Sequence, residues 1–197
     1  MNKEKIAQTM EFPPATEQPN VYPLSWHSQT KKLEEIWDAS RREVWDPKKL
    51  PWDTFNVNKY TWEQREAIAY WWTLLSVFDA SAPPVFASAF VKTYEAHEED
   101  AVRRCFFSVT QHEQTHEQMC GMAITKFLEH PDPLTYEPKT ELGKRLQKNA
   151  KWLYFNGGRY WNGYKQAVPK YSLAVLFSSF LMGEIAAAPI FHQMAAG

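Results

Sequence analysis

In the stretch TQHEQTHEQMCG, residues 110–121, His112, Glu113, His116 and Glu117 crowd together on what reads as one helix. Side chains three or four residues apart share a helix face, so a carboxylate and an imidazole at i and i+3 can act on one ion or one proton. Positions 106, 109, 113, 116, 120, 123 and 127 form such a face and read Phe, Val, Glu, His, Cys, Ala, Phe. Glu113 and His116 therefore fall on an apolar stripe. Glu117 lies on the opposite side, toward solvent. His112 is one residue off the stripe and is expected to make a supporting polar contact rather than to ligate. Cys120 reads as a small apolar filler or a thiol near a metal.

Two further acids occupy equivalent positions. Glu184 lies in the stripe 173, 177, 180, 184, 188, 191, which reads Leu, Phe, Phe, Glu, Ala, Phe. Asp79 ends the stripe Ile68, Trp72, Leu75 and is the only charged residue between Ala67 and Val91. An ionised carboxylate removed from water costs several kcal/mol even after relaxation, roughly, so acids on three core stripes call for a shared cation or for protonation. Oxygen ligands with one imidazole suit iron or manganese, and the absence of clustered thiolates argues against structural zinc. His192, two turns beyond Glu184, could face the same cavity as a supporting group. The bland alternatives are a hydrogen-bonded Glu113–His116 pair and an Asp79 that caps a helix end beside Ser81 and Pro83-Pro84, with Glu95 as the substitute ligand.

These positions require long helices. Residues 1–24 carry Pro13, Pro14, Pro19 and Pro23 with no apolar period and read as an extended arm. A short helix is expected over 29–44, where Leu33, Ile36, Trp37 and Val44 recur at helical spacing. Thr61, with Glu63 and Gln64 behind it, reads as the N-cap of a helix that runs to about Asp79 before Pro83-Pro84 interrupts or kinks it. From 85 to 130 there are almost no helix breakers, which fits two linked helices or one long one, and HPDP at 130–133 stops it. Residues 139–155 are amphipathic, Gly157-Gly158 marks a turn, and the segment from Tyr171 reads as a buried helix. The expected fold is all-α, with residues 1–60 as an arm bearing a short helix and 61–197 as a helical bundle of about four long helices.

Composition narrows the function. Twenty-two basic against 23 acidic residues, with no basic run, disfavour nucleic acid and anionic membrane as partners. Two cysteines make no disulfide framework, and the N-terminus lacks an apolar signal segment, so a reducing cytoplasm is expected. Glu184 within the weakly charged 171–197 run argues for a buried helix rather than a membrane span. Nine Trp and only seven Gly fit bulky helical packing better than a turn-rich β fold.

The order Asp79, then Glu113 with His116, then Glu184 resembles the first part of the ligand set in the ferritin-like di-metal oxidases and oxygenases. That superfamily includes the ribonucleotide reductase small subunit and the arylamine N-oxygenases. The intervals from 79 to 113 and from 113 to 184 look like that family's helix-to-helix spacing, and Glu-x-x-His is its signature element. The likeness covers roughly residues 62–197. It implies a ferritin-like bundle in which Asp79 and His116 are terminal ligands and Glu113 and Glu184 bridge or chelate. It further implies two iron ions, or a manganese and an iron, dioxygen as co-substrate, a small organic substrate and an electron donor.

Two departures qualify the likeness. The family closes its site with a second Glu-x-x-His on a later helix, and the sequence reaches Gly197 without one. Truncation, a split partner chain or a homodimer joined across a two-fold axis would complete the set, truncation being the favoured expectation. Where the radical-forming reductases carry a tyrosine four residues past the ligand histidine, this chain has Cys120, which favours oxidase or oxygenase chemistry. The rival expectations are a metal-free or single-metal helical scaffold that binds a partner, and a ferroxidase or iron store.

Overall fold

The computed structural model describes residues 30–167 and, beyond them, 170, 172–178, 181, 182, 185 and 189, with side chains 158–167 left out. Every regular element among the described residues is helical: α1 Lys31–Arg42, α2 Trp62–Glu95, α3 Asp100–Leu128 and α4 Glu141–Ala167, with residues 173–178 also helical. The all-α expectation holds to that extent. Between α1 and α2 lie three short 3-10 turns at Pro47–Lys49, Trp52–Thr54 and Val57–Lys59.

The start of α2 follows from local chemistry. Thr61 Oγ1 accepts from the Gln64 amide at 3.3 Å, and Gln64 Oε1 accepts from the Thr61 amide at 3.0 Å, a reciprocal capping box. The interruption expected at Pro83-Pro84 does not occur, because α2 runs unbroken to Glu95. Both prolines are held inside the helix, with Pro83 buried and Ser88 donating to the Pro84 carbonyl at 2.8 Å. Lacking N–H groups, they leave the carbonyls of Asp79 and Ala80 without their usual i+4 amide donors. The intact helix shows that packing along its length outweighs those two missing bonds.

The stretch from 85 to 130 is two helices, and the break between them needs neither Gly nor Pro. The Glu98 amide donates to the Thr93 carbonyl and the His97 amide to that of Tyr94, while His97 takes φ 56°. This is a Schellman ending with a histidine in the left-handed position where glycine is usual. Arg103 stabilises it, donating to the Glu98 carbonyl and lying 4.5 Å from the Tyr94 ring. Helix α3 stops at Leu128 with Glu129 left-handed at φ 55°, just ahead of the HPDP stop signal. The turn expected at Gly157-Gly158 is likewise absent, since α4 continues through both glycines. Helix propensity there is only about 1 kcal/mol per glycine below alanine, too little to break a helix of that length.

Helices α2 and α3 form the principal pair, and α4 and α1 pack on them. One core cluster joins Ala69, Ile124, Phe127, Leu128 and Tyr136; a second joins Phe86, Ala89, Phe106 and Leu176. The first turns of α2 tie the end of α3 to the start of α4. Arg65 donates to the Phe127 carbonyl at 2.8 Å and pairs with Glu129 at 2.9 Å, capping the end of α3. Its neighbour Glu66, fully buried, accepts from the Tyr136 hydroxyl at 3.0 Å, from the amides of Lys139 and Thr140 and from the Thr140 hydroxyl. Thr140 precedes α4, so a carboxylate of α2 sits at the N-terminus of α4, where its charge is favoured by the helix dipole.

Helix α2 is also long and apolar enough to cross a membrane by length and composition, with 22% of its most apolar window buried inside the protein. A core helix and a membrane helix both meet that description. On the surface, Trp152, Tyr154 and Phe155 of α4 and Phe177, Leu181 and Met182 are exposed.

Candidate functional site

The antiparallel packing of α2 on α3 brings Asp79 to the face of α3 that carries the sequence motif. Cys120 is buried and its thiol donates to Asp79 Oδ2 at 3.4 Å. One turn toward the start of α3, Glu113 Oε2 lies 3.7 Å from His116 Nδ1. The Glu113 side chain is 15% exposed and that of His116 41%, so the acid is turned inward and the imidazole reaches the rim. The His116 ring tilts against Trp45 at a centroid distance of 6.3 Å. The apolar stripe is real at both ends, where Phe106, Cys120, Ala123 and Phe127 are buried, and its middle holds the polar groups.

Electrostatics at this point are short of positive charge. Burial raises the Asp79 carboxyl above its ordinary range, Glu113 and Glu117 add to the rise, and the Cys120 hydrogen bond and His116 offset it in part. Burial also pushes the Cys120 thiol far up, and the Asp79 charge adds to the shift. Cys120 is thus a neutral, buried donor to Asp79 rather than a thiolate.

Asp79, Glu113 and His116 therefore lie within electrostatic reach of one another on two neighbouring helices. Among the described residues, however, no group of three or more His, Cys, Asp or Glu side chains is arranged to hold a metal ion. Glu184 and His192 lie outside the described residues. Glu117 is exposed, as its position on the helix requires. His112 lies on the other flank of α3, in a cleft against α1, instead of supporting Asp79. Glu95 is exposed and pairs with Lys92 at 3.9 Å, so it is no substitute ligand.

The donor set nonetheless suits a hard or borderline cation: carboxylate oxygens and one imidazole, with the inward carboxylates lacking a cationic side chain among the groups that act on Asp79 apart from His116. Sequence reasoning missed Glu66, the most deeply buried acid of the described chain. A signal was present, because 66, 69, 70 and 73 recur at helical spacing with Ala, Tyr and Thr, but the neighbouring Glu63, Gln64 and Arg65 made the turn look solvated. Its partners are fixed donors from Tyr136, Lys139 and Thr140, which makes Glu66 structural.

Comparison of the chain with protein-family models, with curated proteins and with solved structures returned no match.

Proposed function

We propose that the chain supplies one half of a carboxylate–histidine metal centre of the ferritin-like type, in a protein that uses dioxygen to oxidise a small organic substrate. The observation that carries this reading is that Asp79 on α2 lies near enough to Glu113 and His116 on α3 to feel their charges, in surroundings that penalise negative charge. Uncompensated, that arrangement costs stability, and a resident cation would offset the cost. Asp79, Glu113, His116 and Glu184 would hold it, and iron or manganese bound there would supply the electrons needed to activate dioxygen.

The chain's own residues would contribute the surroundings. Cys120 fixes one oxygen of Asp79 by its hydrogen bond, which orients the carboxylate. Phe106, buried two turns before Glu113 on the same face of α3, would keep water from that side of the site. Trp45 would cover one side of the His116 imidazole at the rim. The second Glu-x-x-His would come from a further stretch of chain, a partner chain or a second copy.

The second reading is a metal-free helical scaffold. It is favoured by the lack of any three converging donors among the described residues and by the direct Cys120–Asp79 bond. Anaerobic loading with Fe(II), followed by metal analysis after desalting, separates the two. Retention of iron by the wild type and its loss in Glu113→Ala and in Glu184→Ala supports the metal centre. Equal, negligible retention by all three proteins supports the scaffold.

A further inference from the structure

Helix α1 lies against α3 without entering the core. None of its 12 residues is buried, and neither core cluster draws a residue from it. Its apolar residues are only partly covered, with Leu33, Trp37 and Ala39 half-buried and Ile36 exposed. Between the two helices lies a half-open cavity of about 420 Å³, with Ile36 and Ala39 on one side and Ser108 and Val109 on the other. The polar contacts across it gather at one end, within reach of water. Glu34 of α1 pairs with Arg104 of α3 at 3.2 Å, Arg104 also pairs with Asp100, and the Thr30 amide just ahead of α1 donates to Glu99 at 3.1 Å. The Cys105 thiol donates to the Leu33 carbonyl at 3.9 Å. Beyond the other end of α1 the chain is anchored, because Pro47 is buried and its carbonyl accepts from the Trp52 indole N–H at 2.7 Å.

An isolated helix shorter than about 12–15 residues is marginal in water, so α1 keeps its form only while it is docked. Little burial and solvent-exposed tethers are what distinguish the segments of a protein that open first. We propose that α1 is a displaceable strap, which undocks and unfolds as a unit from the anchor at Pro47 while α2, α3 and the core between them stay folded. Opening uncovers the flank of α3 that bears Cys105, Val109, His112 and Glu113. Glu113 also lies beside His116, so the open form admits solvent to that carboxylate from the α1 side. The strap goes beyond the metal reading and does not depend on it.

Hydrogen exchange of the metal-free full chain, read by mass spectrometry of fragments in sub-denaturing urea, tests the strap. Amides of α1 are expected to exchange at least about tenfold faster than those of the buried turns of α3 from Cys120 to Leu128, yet more slowly than a free peptide of the same sequence. Urea that speeds exchange in those turns of α3 should change the α1 rates little, since opening the strap exposes little surface. Salt screens the tethering ion pair, so raising NaCl from about 0.02 M to about 0.5 M should speed α1 exchange about two- to fivefold and leave α3 unchanged. Arg104→Ala, and Glu34→Gln from the opposite side of the pair, should reproduce the acceleration at low salt and remove the salt response. Arg145→Ala, on the exposed side of α4, should do neither. Far-UV circular dichroism checks that each variant is folded. Exchange of α1 at the α3 rate with the same urea dependence, exchange at the free-peptide rate, or α1 rates indifferent to salt and to both substitutions would overturn the proposal. Because no metal is added, failure here is distinct from failure of iron loading.

Discussion

Replacing Glu66 by alanine removes the acceptor on which four donors converge: the Tyr136 hydroxyl, the Lys139 and Thr140 amides and the Thr140 hydroxyl. Hydrogen bonds to a charged group contribute about 1.5–3 kcal/mol each, and a buried amide left without a partner costs about 1–3 kcal/mol. Relief of the buried charge offsets part of the loss, as does rotation of the two hydroxyls to other acceptors. The net expectation for Glu66→Ala is about 4 kcal/mol, a Tm lower by roughly 8–16 °C for a chain of this size. Glu66→Gln keeps one acceptor oxygen and should lose about half as much. The structure supplies an internal control in Gly143, whose added Cβ would collide with the Glu66 carboxylate. Gly143→Ala should therefore destabilise the wild type yet stabilise the Glu66→Ala background by about 0.5–1 kcal/mol through helix propensity. Urea unfolding followed by circular dichroism on the four proteins gives the coupling. A Glu66→Ala cost under about 1 kcal/mol, or strictly additive effects, would refute the placement of this carboxylate at the start of α4.

Two further outcomes concern the α2–α3 face. The Asp79 carboxyl is raised in the fold, so its protonated form binds the fold better, and its contribution to stability declines as pH rises from the ordinary aspartate value of 3.8 through the raised one. Metal-free Asp79→Asn should thus be more stable than the wild type at pH 7 by about 1 kcal/mol, with the difference shrinking toward pH 4, as read by denaturant midpoints. A variant less stable than the wild type at pH 7 would contradict this. In a Cys105→Ser background, Cys120 should react with a thiol reagent at pH 8 far more slowly than a free cysteine, and Asp79→Asn should speed the reaction severalfold by removing the neighbouring charge. Unaltered labelling kinetics would show that burial alone protects the thiol.

Periodicity revealed much of this architecture because it reports burial directly. The Thr61 cap and the stripe through Phe106, Cys120 and Phe127 were legible in the spacing of residue types, whereas spacing left Asp79 open between a helix cap and a partner of the 113–120 face, where Cys120 donates to it. The misplaced boundaries share one cause. Pro83-Pro84, at about 3 kcal/mol or more per proline, and Gly157-Gly158, at about 1 kcal/mol per glycine, are local penalties that long packed helices outweigh. At His97 the choice left open between one helix and two linked ones is settled as two, on residues with no breaker among them, because hydrogen bonding and Arg103 impose the left-handed turn. Glu66 escaped notice since its partners, Tyr136 to Thr140, lie some seventy residues away and no local pattern announces them. The stripe Ile68, Trp72, Leu75 is only half-buried, while Ala69, Tyr70 and Thr73 sit deeper, small or polar-tipped groups permitting closer approach of the helices.

The paired prolines of α2 give that rod a joint. Two successive rungs of its ladder never form, at Asp79 and Ala80, so flexure there breaks nothing that was made. The half carrying Glu66 is clamped to α3 and α4 by polar groups, and the half beyond Pro84 is held by the apolar packing of Phe86 and Ala89 against Phe106. Asp79 thus lies where two rungs are missing, and that packing against α3, not the backbone ladder, holds its oxygens in place relative to that helix.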